Sequence, residues 1–515
     1  MIQGEGEDPR TPEEVAEDLR FDQRIKAAIS SPEIAGPDPS VIEDIMNQAP
    51  IKAPTEAEKL AARSQLDARL QEIYADIWSR NPEHAFEPTL DRVRDVLALI
   101  GNPERNYHAI HITGTNGKTT TARIIEALLR ERGLRTGRFT SPHLEDMRER
   151  ISIDGRAISR EDFIDTWDDV KPYIDIVDKK SVAAGGPRLS FFEVLTVMAY
   201  DAFSNAPIDV AVVEVGMGGE WDATNVINAD VAVLLPVALD HMEWLGNTIE
   251  EIADTKLGIL KRGKILVSAA QRESVVELSA ARAEENHARY LLENRDFRVI
   301  HRETAVGGEM VTITTPAATY TDIPLGLRGA FQAHNAAVAL VAVEAFFDGS
   351  ALPGDVVERA LMSVSSPGRL EVVRTSPLVV VDGGHNPHAA QAQVSALREY
   401  YPQSKIVGVV AQMSDKDQED YLGVLEPVLA SVVVTGMESA RAMDPEQLGE
   451  IARGVFGEDR VVVEPDLAEA IDHATAIAET DSAEDLTPPV VVALGSFELV
   501  GNVRALMGKA NPDEA

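Results

Sequence analysis

The sequence contains no cysteine among its 515 residues. Disulfide bonds, thiol nucleophiles and cysteine-based zinc sites are therefore excluded. It also lacks any run of about 18 or more uninterrupted apolar residues, so we expect no membrane span. The first residues, "MIQGEGEDPRTPEEVAEDLR", lack the basic start and apolar stretch of a secretory signal peptide. These absences make the cytoplasm the expected location.

Positive charge is scarce in the chain. There are 48 Lys and Arg residues against 85 Asp and Glu residues, a formal net charge of −37. Such a chain is a poor match for nucleic acid or for an anionic membrane surface as its main partner. If the ligand is an anion such as ATP, local cations, backbone N–H groups and metal ions must overcome the overall repulsion. The length suggests about two to four domains.

Strand and helix patterns alternate along most of the chain, which is typical of a layered α/β protein. In the first half, apolar β-branched segments predict buried parallel strands; they are residues 108–113, 136–140, 208–215, 230–237 and 264–269. Helical segments lie between them, at residues 119–132, 190–204 and 248–261. A further helical pattern begins near residue 57. The first half is therefore expected to hold a mostly parallel sheet covered by helices.

The second half repeats this style and predicts a compact Rossmann-like unit of strands at 378–384, 405–413, 431–437, 460–466 and 489–497. Ser, Pro and Gly cluster in "SVSSPGRLE", residues 363–371, which favours a join between domains there. We predict three parts. Residues 1–56 form an acidic, partly disordered extension with a helix around 12–30, residues 57–364 a central domain, and residues 365–515 a C-terminal domain.

A glycine-rich turn leads from the first strand into a helix in "HITGTNGKTTTARIIEALL", residues 111–129. A standard P-loop has the pattern G-x-x-x-x-G-K-[ST], and the position of its first glycine is Ile112 here. Backbone N–H groups at a helix start still favour a bound phosphate. Lys118 would reach the β- and γ-phosphates, and the Thr119 hydroxyl would approach Mg²⁺. The alternative is an ordinary strand-to-helix turn that happens to contain glycine.

Polar side chains follow three other predicted strands, at the edge where ligands collect in open α/β sheets. Ser141 follows the second strand, Glu214 ends the third and His241 follows the fourth. A buried carboxylate is costly unless it meets a cation. Together with bound phosphates these groups could complete a Mg²⁺ site, although histidine is an uncommon ligand for this ion.

Each of these residues has a simpler explanation when taken alone. Glu214 could pair with a structural arginine, His241 could be a satisfied structural histidine, and Ser141 could be a turn or helix-cap residue. Lys256, in "TIEEIADTKLGIL", would by composition be an ordinary solvated helix lysine.

The order of these motifs resembles the folylpolyglutamate synthase/dihydrofolate synthase family, within the Mur ligase superfamily. The matching stretches of the first half are "GTNGKTT" (114–120), "FTSPHLEDMRERI" (139–151), "VVEVGMGGEWDATN" (212–225) and "LDHMEWLGNTIEEIADTKLGIL" (239–260). Those of the second half are "HNAAVAL" (334–340), "PGRLE" (367–371), "VVVDGGHNPHAA" (379–390), "MSDKD" (413–417) and "GSFELVGNVR" (495–504). The resemblance covers about residues 58–510, and the shortened phosphate loop is the superfamily's form of the motif.

The resemblance implies a fold and a set of site residues. The fold is α/β, a P-loop Mur-ligase-type ATPase domain with a mostly parallel central sheet plus a smaller Rossmann-like C-terminal domain. Lys118, His241 and Lys256 are the expected catalytic residues, and Lys256 matches a lysine that the family carbamylates to hold a second Mg²⁺. The expected ATP-binding residues are Gly114, Thr115, Asn116, Gly117, Lys118, Thr119, Thr120, Asn335, Arg369, Asp382 and His385. Mg²⁺ would be held by Ser141, Glu214 and His241, and the pterin pocket would be lined by Ser190, Trp221, Asp222 and Ala223.

The implied activity is ATP-dependent joining of L-glutamate to a folate or pteroate carboxylate through an acyl phosphate, by a monomer. Whether the chain makes dihydrofolate, extends a polyglutamate tail or does both stays open. One departure is local: the family's usual Gly-Gly-Arg-Leu-Asp is Gly-Gly-Glu-Trp-Asp at 218–222. A Mur ligase acting on a UDP-muropeptide is a rival, but the ordered chain before residue 108 is too short for its UDP-binding domain. A non-enzymatic ATP-binding switch is a more remote rival.

Overall fold

The computed structural model describes residues 56–81, 89–439, 441–480 and 488–509. The chain divides into two units, residues 1–65 and residues 66–515. Of the first unit the structure describes the start of the helix Glu56–Trp78, which confirms the helix predicted from near residue 57. The predicted extension and its helix around 12–30 lie outside the described residues. In the described part of the chain, no helix has the length and apolar character needed to cross a lipid bilayer.

Residues 66–515 contain an eight-stranded sheet in the order β4-β3-β2-β5-β1-β6-β7-β8. Its strands are β1 (His108–Thr113), β2 (Thr136–Phe139), β3 (Ile151–Ile153), β4 (Arg156–Ala157), β5 (Val210–Glu214), β6 (Val231–Leu234), β7 (Ile265–Ser268) and β8 (Arg289–Leu292). The six strands from β2 to β8 in this order are parallel, whereas β3 and β4 form an antiparallel edge. The five strands predicted in this half are confirmed: β1 has the predicted bounds, and the other four are shorter than the predicted segments.

The strands of this sheet carry apolar side chains on both faces, and helices cover both faces and bury them. One face carries the helices Asp91–Leu99, Arg160–Ala183 and Phe191–Asn205. The other carries Lys118–Glu131, Ala330–Phe346 and Gly354–Ser363. The helix Ala330–Phe346 is buried all round and rich in alanine, which lets it pack closely against the helix Lys118–Glu131. Three further helices, Met242–Leu245, Ile249–Leu257 and Glu273–Glu285, follow β6 and β7.

A three-stranded antiparallel sheet that the sequence patterns did not predict lies after the eight-stranded one. It consists of β9 (Arg298–Ala305), β10 (Gly308–Thr314) and β11 (Thr319–Leu325). Its apolar side chains join the core beneath the helix Ala330–Phe346.

A six-stranded sheet follows in the order β12-β13-β17-β14-β15-β16. Its strands are β12 (Glu371–Thr375), β13 (Leu378–Asp382), β14 (Ile406–Val410), β15 (Ser431–Val434), β16 (Val461–Val463) and β17 (Val490–Leu494). All but β12 are parallel, as in a Rossmann-like fold. The helices are Pro387–Tyr400, Gln418–Leu425, Pro445–Phe456, Leu467–Thr480 and Phe497–Leu506. The fold class is thus confirmed, and the boundary between domains near residue 364 stays a prediction.

Candidate active site

The phosphate loop joins β1 to the helix Lys118–Glu131, as predicted. Gly117 has φ of 88°, and a Cβ there would lie 2.8 Å from Asn335 Oδ1. A Cβ on Gly114 would lie 2.6 Å from the Cβ of Leu235, the residue that follows β6. Both positions therefore require glycine for steric reasons. Asn335, predicted to contact ATP, lies beneath the turn and donates to Gln332 Oε1 at 2.9 Å.

Lys118 folds back over the loop it follows. Its Nζ donates to the carbonyl oxygens of Gly114 and Thr115, both at 3.2 Å. Burial lowers the pKa of Lys118, and the carboxylates of Glu214 and Asp240 offset part of that shift. The ammonium group thus lies where β1 ends, ready to exchange two carbonyl contacts for phosphate oxygens.

Glu214 is only 1% exposed and lies at the end of β5, in register with Ile112 of β1. Its carboxylate accepts hydrogen bonds from Thr119 Oγ1 at 2.9 Å and from the Ser141 amide at 3.3 Å. Burial raises the pKa of Glu214, while Lys118 and these hydrogen bonds oppose the rise. Among the described residues, no arginine forms a hydrogen bond or ion pair with Glu214, so the structural-arginine alternative is not supported.

The predicted Mg²⁺ site depends on the side chains around Glu214, which we call the Glu214 corner. Thr119, Ser141 and Glu214 offer two hydroxyls and one carboxylate, the hard oxygen donors that suit Mg²⁺. Among the residues that the structure describes, no three His, Asp or Glu side chains converge closely enough to form a metal cluster by themselves. The donor set therefore fits an ion that is coordinated by phosphate oxygens as well as by the protein, and His241 stays a predicted ligand.

Asp240 and His241 follow β6 at the edge of the sheet where Lys118 and Glu214 also lie. Burial alone would raise the pKa of Asp240, but His241, Lys416 and His385 bring it below its usual range. Loss of surrounding water in the cleft lowers the pKa of His241 to about 4, although 41% of its side chain is exposed. At neutral pH the site therefore holds an Asp240 carboxylate beside an uncharged imidazole.

Lys256 is 4% exposed, so its interpretation as a solvated helix lysine is wrong. Its Nζ donates to Gly114 O at 3.0 Å. Burial and the nearby Lys118 lower the pKa of Lys256 to about 7. It lines a small pocket of about 20 Å³ together with Lys118, Asp240 and His241.

The second sheet contributes the opposite wall of the site. The Arg369 guanidinium lies 4.2 Å from the centroid of the Phe497 ring. Burial lowers the pKa of Arg369, and Asp382 and Glu214 oppose this shift. His385 also contacts Phe497 edge-on, and burial lowers the pKa of His385 to about 4.

Asp382 has three protein donors for its carboxylate: the amides of Leu370 and Gly384 at 3.0 and 2.8 Å, and Gln393 Nε2 at 2.7 Å. It therefore fixes the turn that carries Arg369, whose neighbour Leu370 has a positive φ of 44°. Thr120 is likewise buried, with its hydroxyl 2.8 Å from Ser366 Oγ.

One cleft of about 710 Å³ brings most of the predicted residues together. The predicted residues that line it are Thr115, Asn116, Gly117, Lys118, Thr119, Ser141, Ser190, Glu214, Trp221, Asp222, Ala223, His241, Arg369 and His385. Gly114 and Lys256 line the adjoining small pocket, whereas Thr120, Asn335 and Asp382 support the walls from behind.

The residues predicted to line the pterin pocket also stabilise the local structure. Ser190 caps the helix Phe191–Asn205 by accepting from the Glu193 amide at 3.2 Å. Asp222 accepts from the amides of Met217 and Thr224 at 2.9 and 3.0 Å, which shapes the loop after β5. In the departing Gly-Gly-Glu-Trp-Asp segment, Glu220 is exposed and Trp221 lines the cleft.

Residues outside the predicted set join the two walls. Asp240 accepts from Asn386 Nδ2 at 3.1 Å and from Lys416 Nζ at 3.4 Å. Asn116 Nδ2 lies 2.9 Å from His388 Nδ1. Lys416 stands within "MSDKD", a stretch quoted above without a role for its lysine. Lys416 could have been found from the sequence, because it is a charged residue soon after β14, at the sheet edge where the other site residues lie.

Comparison with known proteins agrees with this arrangement. Residues 188–343 match the Mur ligase middle domain, and residues 368–497 match the glutamate ligase domain of Mur ligases. A Mycobacterium tuberculosis protein named dihydrofolate synthase/folylpolyglutamate synthase is 44% identical over 84% of this chain and 92% of its own length.

Two solved structures extend the likeness. Mycobacterium tuberculosis folylpolyglutamate synthase, complexed with ADP and AMPPCP, has a TM-score of 0.82 at 42% identity, over 86% of this chain and 99% of that one. Escherichia coli FolC, in complex with DHPP and ADP, has a TM-score of 0.74 at 27% identity, over 85% of this chain and 97% of that one.

Proposed function

Because this chain belongs to the folylpolyglutamate synthase/dihydrofolate synthase family of Mur ligases, we propose that it uses the cleft between its two large sheets to join L-glutamate to dihydropteroate and to reduced folates. It is an ATP-dependent acid–amino-acid ligase. The observation that carries the site assignment is the convergence of Lys118, Glu214 and Arg369 on one cleft from both sheets.

The nucleotide phosphates would lie along the loop 114–120. The N–H groups at the start of the helix Lys118–Glu131 point toward this region, where the helix dipole favours an anion. Lys118 would exchange its two carbonyl contacts for β- and γ-phosphate oxygens. Arg369, held on the Phe497 ring, would approach the same phosphates from the opposite wall.

Mg²⁺ would be held by Ser141, Glu214 and His241, with the Thr119 hydroxyl close to the ion, and when bound it would supply positive charge to the transferring phosphoryl group. Lys256 would carry a carbamate and hold a second ion. Carbamylation needs an uncharged amine, and the burial that brings the pKa of Lys256 to about 7 makes that form available near neutral pH. Asp240 and the uncharged His241 complete this side of the cleft.

The chemistry has two steps. A substrate carboxylate oxygen attacks the γ-phosphorus of ATP, the bond to the β-phosphate oxygen breaks, and an acyl phosphate and ADP form. The L-glutamate amine, having lost a proton, then attacks the acyl carbon, and phosphate leaves as the amide forms. Both steps bring anions together, so alignment and electrostatic stabilisation by Lys118 and Arg369 would supply most of the catalysis.

The remaining assignments belong to the same proposal. Residues 57–364 and 365–515 would act as two domains that close over the nucleotide before chemistry, since the site needs parts of both. Ser190 and Trp221–Ala223 would line the pterin pocket. The enzyme would work as a monomer in the cytoplasm.

The test is ADP release with L-glutamate and either dihydropteroate or a reduced folate, measured side by side. We expect both acceptors to support ADP release that depends on glutamate. Release with only one acceptor would reduce the proposal to that single activity, and release with neither would overturn it. Omitting glutamate is the control for ATP hydrolysis without ligation.

A further inference from the structure

The segment 141–149 connects the Glu214 corner to the second sheet. At its start, the Ser141 amide donates to Glu214 Oε2 at 3.3 Å. At its end, the Glu149 carboxylate accepts from the amides of Leu144, Glu145 and Asp146 at 2.8, 3.0 and 2.8 Å. Glu149 is only 7% exposed. One buried carboxylate thus ties three successive amides and holds residues 144–149 together. We call the whole segment 141–149 the bracket.

The outer corner of the bracket is docked on the helix Phe497–Leu506. Arg504 Nε donates to Glu145 Oε1 at 3.0 Å, and a second Arg504 nitrogen pairs with Glu371 on β12. The side chains of Arg504 and Glu145 are 10% and 13% exposed, so this pair is far better shielded from water than a surface ion pair. Leu144 packs into the apolar core of the second sheet.

Backbone packing strengthens the same contact. A Cβ on Gly501 would overlap the carbonyl oxygen of Leu144, so glycine lets the helix approach the bracket directly. The helix that holds the bracket begins at Phe497, the ring on which Arg369 lies. The helix Phe497–Leu506 therefore contacts groups from both walls of the cleft. It contacts Arg369 on one wall, and it contacts the bracket, whose first residue binds Glu214 on the other wall.

We propose that Arg504 is a positioning residue: it docks the bracket on the helix Phe497–Leu506 and thereby sets the Ser141 amide and hydroxyl against Glu214. Arg504 does not line the cleft, and its effect passes through the bracket. The importance of Glu214 in this proposal rests on the function proposed above. The contact between Arg504 and the bracket does not depend on that function.

The test uses two variants that disturb the contact by different physical means. Arg504→Ala removes the ion pair, and Gly501→Ala pushes the bracket away without changing charge. Both are expected to raise the amide hydrogen exchange rate of residues 141–149 in the nucleotide-free enzyme by about fivefold or more. Both should also weaken ADP binding in the presence of Mg²⁺ more than in its absence, as measured by calorimetry.

Arg504→Lys, which keeps the charge, should recover part of the exchange protection. Glu145→Gln should reproduce much of the effect of Arg504→Ala, and the double variant should be no worse than Arg504→Ala alone. Arg359→Ala is the matched control, since Arg359 is 54% exposed and pairs with Glu131 and Asp355 away from the bracket; it should leave exchange in 141–149 unchanged.

Unchanged exchange in both Arg504→Ala and Gly501→Ala would overturn the proposal, as would equal weakening of ADP binding with and without Mg²⁺. A variant that unfolds is replaced by Glu145→Gln, which keeps the volume of the side chain. Failure of the proposed function would look different, because the wild-type enzyme would then show no glutamate-dependent ADP release while exchange in the bracket still responded to Arg504.

Discussion

Lys256 and Lys118 donate to the same carbonyl oxygen, that of Gly114, with Nζ–O distances of 3.0 and 3.2 Å. Two ammonium groups this close repel each other, and Lys256 is buried while Lys118 is partly buried. The repulsion adds to burial in bringing the pKa of Lys256 to about 7, far below that of an ordinary lysine. The arrangement favours converting one of the two cations into a neutral or anionic group.

Lys256 is therefore expected to take up carbon dioxide. The uncharged amine is the reactive form, so carbamate formation should rise as the pH increases through about 7 and fall below it. The measurement is the carbamate signal in carbon-13 NMR with labelled bicarbonate at pH 6 and pH 8. Lys256→Ala should lose that signal, and a small carboxylic acid in solution should partly restore its ligase activity. An unchanged NMR signal or undiminished activity in this variant would contradict the assignment.

Replacing Lys118 by alanine should abolish ligation. The substitution removes the cation nearest the phosphate loop, and loss of a single preorganised electrostatic group costs about 10²–10³-fold in rate. We expect a kcat reduced by at least that factor with the free energy of unfolding little changed, measured by ADP release and by thermal unfolding. Lys171→Ala, at a surface ion pair with Asp175, is the control and should keep full activity. Near-normal turnover in Lys118→Ala would exclude the role given to it.

Gly117→Ala should impair nucleotide binding for a steric reason. The position combines a φ of 88° with a Cβ that would lie 2.8 Å from Asn335 Oδ1. Gly133, at the other end of the same helix, has a similar φ of 85° but open space around its Cβ. Each substitution should cost about 1–2 kcal/mol of stability from backbone strain. Only Gly117→Ala should also weaken ADP binding in calorimetry, and equal affinities of the two variants would refute this.

The Asp240–Lys416 pair should hold the cleft closed. It joins the end of β6 to the loop after β14, at 3.4 Å with both side chains mostly buried. Lys416→Ala leaves the Asp240 carboxylate without its cation from the second sheet, so the open form should become more populated and kcat should fall. Small-angle scattering in the presence of ADP should then give a larger radius of gyration than for the wild type. Asp240→Asn should act in the same direction, and a closed form unaffected by either change would show that the pair does not stabilise closure.

Much of this site was predictable because polar residues at the ends of parallel strands must meet at one edge of the sheet. Glu214 stood out within an apolar strand, and the Gly-Lys-Thr triplet stood out before a helix. Lys256 could not be recognised in this way, since helical spacing says nothing about burial against a distant loop. The role of Lys256 was predicted from the resemblance to the family. Its burial and its hydrogen bond to Gly114 O then gave a physical reason for that prediction.

The contacts that join the two walls lay beyond sequence reasoning. Lys416 lies 176 residues from Asp240 along the chain, and Arg504 lies 359 residues from Glu145. No local period or motif encodes such a pairing. The three-stranded sheet β9–β11 was missed for a related reason, because an edge strand such as β9 is mostly exposed and carries little apolar alternation.

The most direct test of the proposed chemistry follows oxygen from the acceptor to phosphate. Dihydropteroate labelled with oxygen-18 in its carboxylate is converted with ATP and L-glutamate, and the inorganic phosphate is analysed by mass spectrometry. An acyl-phosphate mechanism transfers one labelled carboxylate oxygen to each phosphate released. Phosphate that carries no label while the amide product accumulates would contradict the account.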